Sequence, residues 1–317
     1  MSWWMIVLIV IIVLFFVAAV VANIELNMFL APHGFWGRMH KFKEVSDITD
    51  IQKTEELLEN KVEQWISKNS VKDLWTISFD TLRLHAQAVI QKRLSHKWVL
   101  CLHGYGGNYL TVESFGMEYF SRGYNVVMPD MRYYGKSQGR YAGMGWLDRK
   151  DAAEWIKEIL KMDPEADIVV HGVSMGASAV MMLSGENLPE NVKCLVADCG
   201  YTSVWNCFSH IRKDRFHLPV FPMLYIAGLF CKIRMGYFLH EASSLRQLKK
   251  CKVPVYMIHG SEDTFVPSSM IIQNYHSVLN APKDWYILSG AVHAVSVYKN
   301  PELYWRKVFG FVDRFVK

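Results

Sequence analysis

Apolar strand-length runs constrain the fold more than any other feature of this chain. They are Trp98 to Leu102, Asn125 to Met128, Ile168 to His171, Val192 to Ala197, Val255 to His259 and Trp285 to Leu288, and helix-length segments separate them. That alternation predicts a mostly parallel sheet with helices on both faces, because parallel strands need long crossovers and bury both sides. Upstream, Trp75 to Phe79 and Leu82 to Ile90 flank Asp80-Thr81 and read as an antiparallel hairpin. At 317 residues, 51% of them hydrophobic and 21% charged, the chain has material for a large core.

Two stretches break the alternation. Trp3 to Ala22 is an unbroken apolar run of roughly 20 residues, enough to cross about 30 Å of hydrocarbon as a helix. It reads as a transmembrane anchor. A signal peptide is the rival, with Val20-Val21-Ala22 as a cleavage candidate, but no basic n-region precedes the run. Arg38, Lys41 and Lys43 follow it, a small bias toward a cytoplasmic C-terminal bulk. An amphipathic helix is expected from about Ile51 to Ser67, packed on the domain. The second stretch, about 200–252, is rich in aromatics and Met and lacks a clear strand; a helical lid insertion is expected there. The domain plan is therefore an anchor over 1–22, a connector with the amphipathic helix over 23–73, and one large α/β domain over 74–317.

A net charge of +5 with scattered Lys and Arg provides no dense basic face, which argues against nucleic acid as a partner. The six cysteines, Cys101, Cys194, Cys199, Cys207, Cys231 and Cys251, form no CxxC or Cys/His pattern, so neither structural disulfides nor a metal site is expected. His210, His217 and His240 also lack ligand spacing.

The chemistry is concentrated at Gly172-Val-Ser174-Met-Gly176, which follows the strand Ile168 to His171 and precedes a run of small, helix-tolerant residues. Glycines on both sides permit a sharp turn that lifts the serine hydroxyl off the carboxyl edge of the sheet. A serine nucleophile needs a base, and the base needs an orienting carboxylate. Asp263 and His293 both fall just past strand ends on that edge. Asp198, after the strand Val192 to Ala197, and Glu262 are alternative acids. His103, His171 and His259 suit structural roles beside tight turns, and Asp130 with Arg132 suits a buried ion pair fixing its loop.

From about Leu74 to the C-terminus the chain resembles the α/β-hydrolase superfamily, particularly membrane-anchored bacterial serine hydrolases of the serine aminopeptidase and lysophospholipase-like group. The matching motifs are His103-Gly-Tyr-Gly-Gly107, Pro129-Asp-Met-Arg-Tyr-Tyr-Gly-Lys-Ser137, Gly172 to Gly176, His259-Gly-Ser-Glu-Asp263 and Ala291-Val-His293. The resemblance implies an eight-stranded sheet, Ser174 as nucleophile, Asp263 as acid and His293 as base. It also implies an oxyanion hole built from the backbone N–H groups of Tyr105 and Met175, with no cofactor. The family's usual Asp-x-Arg-Gly-His-Gly stands here as Asp130-Met-Arg132-Tyr-Tyr-Gly135, and Val292 replaces a residue that is commonly small.

The expected function is a membrane-anchored serine hydrolase of carboxylic esters, acting on small-molecule or lipid-derived substrates. A peptidase, amidase or thioesterase on the same triad is the first alternative, with Glu186, Glu241 and Glu262 as candidates for binding a substrate amine. A non-catalytic membrane interaction module is the second.

Overall fold

The computed structural model describes residues 2–31 and 49–317. Pro32, Gly34 and the basic residues at 38, 41 and 43 lie outside the described residues. The chain divides into two compact units, one of residues 43–202 with 243–317 and one of residues 1–42 with 203–242.

The larger unit is built on an eight-stranded sheet: β1 (Val71–Ile77), β2 (Arg83–Val89), β3 (Lys97–Leu102), β4 (Asn125–Pro129), β5 (Asp167–Val173), β6 (Val192–Asp198), β7 (Val255–Gly260) and β8 (Lys283–Leu288). Its order is β1-β2-β4-β3-β5-β6-β7-β8. The predicted hairpin pairs β1 with β2 antiparallel, and β2 also meets β4 antiparallel. Every other neighbour is parallel, so the sheet is mixed at one edge only.

Alternate strand residues bury on opposite faces, as the two-residue period requires. On one face Val99, Cys101, Val169, Val173, Cys194, Val196, Tyr256 and Ile258 form a single core with Trp65, Phe115, Tyr119, Tyr304 and Trp305. Those five come from α2 (Thr49–Lys68), α3 (Glu113–Ser121) and α11 (Pro301–Val312). The predicted amphipathic helix is α2, and its Ile51, Val62 and Trp65 are buried. The opposite strand faces are covered by α4 (Asp148–Met162) and α5 (Met175–Leu183), the latter packed against β3, β5 and β6. Short helices α8 (Ser244–Leu248), α9 (Ser269–Ser277) and α10 (Ser296–Lys299) complete the unit.

In the smaller unit α1 runs from Trp3 to Leu30, beyond the apolar run that ends at Ala22. Asn23 to Leu30 extends the helix because Leu26 and Leu30 continue a stripe begun by Ala18 and Ala22, four residues apart and all buried. The insertion is helical, as expected, with α6 (Val204–His210), a π-turn (Ile211–Arg215) and α7 (Met223–Met235). It packs on α1: Leu224, Ala227 and Cys231 of α7 are buried, and Phe29 stacks on Phe208 with ring centroids 4.3 Å apart. Its bounds, 203–242, are narrower than the expected 200–252 because α8 joins the larger unit. All six cysteines are buried and none is in a disulfide.

Candidate active site

β5 ends at Val173 and α5 begins at Met175, which leaves Ser174 alone to make the turn. It does so at φ 56° and ψ −113°, a left-handed conformation that non-glycine residues seldom hold. Its N–H donates to Asp198 O at 2.8 Å, tying the corner to β6. The flanking glycines are steric necessities. A Cβ at Gly172 would lie 2.3 Å from the Gly176 backbone, and one at Gly176 would lie 2.2 Å from Leu102 O. The corner therefore wedges directly against the end of β3.

The three predicted residues meet. Ser174 Oγ stands 2.8 Å from His293 Nε2, and His293 Nδ1 stands 2.7 Å from Asp263 Oδ2. Asp263 follows β7 and His293 follows β8, so adjacent strand ends deliver both to the Ser174 edge. Nδ1–H donates to the carboxylate, which leaves Nε2 bare to accept the serine proton.

Asp263 is held from several sides. Its Oδ1 accepts N–H bonds from Phe265 at 3.0 Å and Val266 at 2.8 Å. Its Oδ2 also lies 3.1 Å from His259 Nε2, which donates as well to Val266 O at 2.7 Å. Burial works to raise the Asp263 pKa, but the hydrogen bonds from His259 and His293 outweigh it and hold the carboxyl down at about 2. His259 was expected to be merely structural; it is a second partner of the Asp263 carboxylate. Its position four residues before Asp263, at the end of the same strand, was the available signal.

The alternative acids are not so placed. Burial pushes the Asp198 carboxyl up to about 6. Neither of its oxygens has a hydrogen bond of normal geometry among the described residues, and the nearby Tyr304 hydroxyl is 3.1 Å from His171 Nε2. Glu262 is exposed. His171 bridges Tyr119 and Tyr304 inside the core, and His103 is locked between Gly104 O and the Met131 N–H. Both histidines are structural.

The loop after β3 passes close to the serine, since a Cβ at Gly104 would lie 3.4 Å from Ser174 Cβ. Tyr105 follows that glycine, and Met175 N–H is the first amide of α5, a position without a carbonyl one turn back. The Asp130 loop supports the same wall. Tyr134, one of the two tyrosines replacing the usual Gly-His, is buried edge-on to His103 at 5.2 Å and to Tyr105 at 6.4 Å.

The expected Asp130–Arg132 pair does not form. Asp130 turns inward to His85 Nδ1 at 2.7 Å and to the N–H groups of Tyr109 and Lys136. Arg132 instead grips Asp151 through two bonds of 2.7 Å and reaches Asp80 at 2.9 Å. Residues two apart on a loop need not face each other, and backbone donors claim Asp130 first.

Two of the amine-binding candidates are already engaged: Glu186 pairs with Arg149 at 2.7 Å, and Glu241 lies 3.6 Å from Lys232. Cys199, Asp263 and His293 converge within 4.8 Å, yet a metal would have to break the Asp263–His293 bond and ionise a thiol that burial holds well above its ordinary pKa. Asp263 and His293 are instead aligned with Ser174 for proton transfer.

Comparison with known proteins bears on the fold. The family model of the α/β hydrolase fold matches residues 97–226. The uncharacterized protein YqkD of Bacillus subtilis is 29% identical over 216 residues, 68% of this chain and 70% of that protein. An esterase of Pyrococcus furiosus, Pf2001, is similar in structure with a TM-score of 0.64 and 25% identity, covering 79% of this chain and 93% of that one. The acylaminoacyl peptidase of Pyrococcus horikoshii aligns with a TM-score of 0.59 and 18% identity, over 82% of this chain and 44% of that one. The chain has the α/β-hydrolase fold, and these esterase and peptidase neighbours support a hydrolase.

Proposed function

We propose that this protein is a serine hydrolase that cleaves carboxylic esters through Ser174, His293 and Asp263, held at a membrane by α1. The observation that carries the reading is the unbroken Ser174–His293–Asp263 relay, 2.8 and 2.7 Å, on a strained corner. Ser174 Oγ attacks the acyl carbonyl as its proton passes to His293 Nε2, and Asp263 stabilises the imidazolium. The oxyanion is received by the N–H groups of Tyr105 and Met175. His293 then gives its proton to the departing alcohol, leaving an acyl group on Ser174. Water attacks that ester with His293 again as base, and the carboxylic acid leaves. The residues named need no cofactor for these steps.

The membrane part of the reading is supported by α1, whose 28 residues are long and apolar enough to cross a bilayer. A peptidase reading on the same triad has one observation in its favour, the acylaminoacyl peptidase neighbour. Against it, Glu186 and Glu241 already face cations.

The test is labelling of the detergent-solubilised protein by a fluorophosphonate probe, beside Ser174→Ala, followed by hydrolysis of p-nitrophenyl esters and an aminoacyl anilide. Labelling lost in the variant at unchanged Tm, with esters preferred over the anilide, is the expected result. Unchanged turnover by Ser174→Ala would remove the nucleophile, and preference for the anilide would install the peptidase.

A further inference from the structure

The smaller unit carries an apolar surface that its own packing does not explain. Helix α7 begins Met-Leu-Tyr-Ile-Ala-Gly-Leu-Phe-Cys, with no charge over its first nine residues. One face, Leu224, Ala227 and Cys231, is buried in contact with α1. Tyr225, Leu229 and Ile233 follow one another at four-residue spacing on another face and are 58%, 51% and 71% exposed. Phe221, 72% exposed, touches Tyr225 at 5.7 Å between ring centroids and lengthens the stripe. A helix that is apolar all round needs an apolar environment on every side.

Two further observations identify that environment. The first is continuity: α7 packs along the buried stripe of α1, whose residues from Ile6 to Val17 are exposed and apolar, so one unit carries both surfaces. Small residues at the contact, Ala18, Ala22 and Ala227, bring the two helices close. The second is the polar level at which they meet. Arg234 donates to Asn23 and Asn27, and Arg212 pairs with Glu25, which places these polar groups just beyond the apolar run of α1. That is where a spanning helix leaves hydrocarbon for headgroups. The insertion, residues 203–242, contains five basic residues and two acidic ones, a balance suited to an anionic leaflet.

We propose that the α7 face formed by Phe221, Tyr225, Leu229 and Ile233 lies in the same lipid leaflet that α1 crosses, so that the insertion is a second, interfacial membrane contact. The proposal rests on reading α1 as membrane-spanning, and the experiment separates the two claims. The full chain is reconstituted in nanodiscs of phosphatidylcholine and phosphatidylglycerol with a cysteine introduced at one site and labelled with an environment-sensitive fluorophore. The six native cysteines are buried and resist labelling. The sites are Ile233→Cys, Val10→Cys within α1, and Leu94→Cys, which lies on the exposed surface of the larger unit. Ester hydrolysis by each variant confirms that it is folded.

The expected result is blue-shifted emission, quenched by spin-labelled lipid, at residues 233 and 10 and at neither wavelength nor intensity comparable to residue 94. Quenching at 10 with a water-like spectrum at 233 would overturn the proposal and leave the anchor. A blue shift at 233 without lipid quenching would mean that protein, such as a second copy, covers the face, and would also overturn it. An unquenched probe at 10 would overturn the anchor and the proposal together.

Discussion

Replacing Asp263 by Asn tests the relay through a change that preserves shape. Asp263 Oδ1 accepts two backbone N–H bonds, from Phe265 and Val266, so the amide oxygen of an asparagine is drawn to that side. Its NH2 group then occupies the Oδ2 position and points at His293 Nδ1 and His259 Nε2. His293 must offer a bare Nδ1, and its proton moves to Nε2, the atom that has to accept from Ser174. The base is thereby in the wrong tautomer, which in triads costs about 10⁴ in kcat, or about 5 kcal/mol of barrier. His259 cannot yield, because its Nε2–H also serves Val266 O at 2.7 Å. Two donors face each other, and the variant should lose about 1–3 kcal/mol of stability. The assay is kcat/KM on p-nitrophenyl acetate with a thermal melt. A folded variant within tenfold of wild type would refute the assignment. Asp198→Asn is the control: its carboxylate does not bond His293, so a loss equal to that of Asp263→Asn would transfer the acid role to Asp198.

Other consequences are simpler. Gly176→Ala sets a Cβ 2.2 Å from Leu102 O and should cost about 1–3 kcal/mol or more through backbone displacement, with probe labelling lost. Gly310→Ala meets nothing within 4 Å inside α11 and should gain about 0.5–1 kcal/mol; thermal melts compare the two, and equal effects would contradict the steric account. Arg132→Met strands the buried Asp151 carboxylate and should cost about 3–5 kcal/mol in urea unfolding. His171→Phe leaves the Tyr119 and Tyr304 hydroxyls without their shared partner, about 1–3 kcal/mol at pH 8. Burial lowers the His171 pKa to about 3 from 6.5, so this residue costs the wild type stability as pH falls from 6.5 toward 3, a loss the variant lacks. The gap between them should narrow in urea titrations at pH 4.5, and a constant gap would contradict a neutral buried His171.

Much of the larger unit was legible because its signals are local. Each β-strand after the hairpin is a short apolar run, and each is followed by the segment that becomes its helix. The serine corner was legible because Gly172 and Gly176 are demanded by contacts of 2.3 and 2.2 Å, and chain order alone brought Asp263 and His293 to the same edge. What escaped were choices among partners. Asp130 and Arg132 each had a neighbour of opposite charge, but backbone N–H groups captured the first and Asp151 and Asp80 the second. His259 looked like any turn histidine until the loop from Ser261 to Val266 folded back over it.

The composition of the insertion has more than one physical explanation. Its aromatics and methionines suit a helical lid over an apolar pocket. In the structure that composition has a nearer explanation: Phe208 stacks on Phe29, Leu224 and Ala227 pack with α1, and Tyr225, Leu229 and Ile233 form an exposed apolar stripe. If lipid contact accounts for the exposed stripe as packing accounts for the buried one, those side chains do not specify the acyl group. The size of the acyl pocket must then be read from residues around Ser174 itself, and ester chain length becomes an independent variable. A preference for long acyl chains that survives Leu229→Ser and Ile233→Ser would locate the selectivity in the larger unit. A preference that disappears with them would return the insertion to substrate binding.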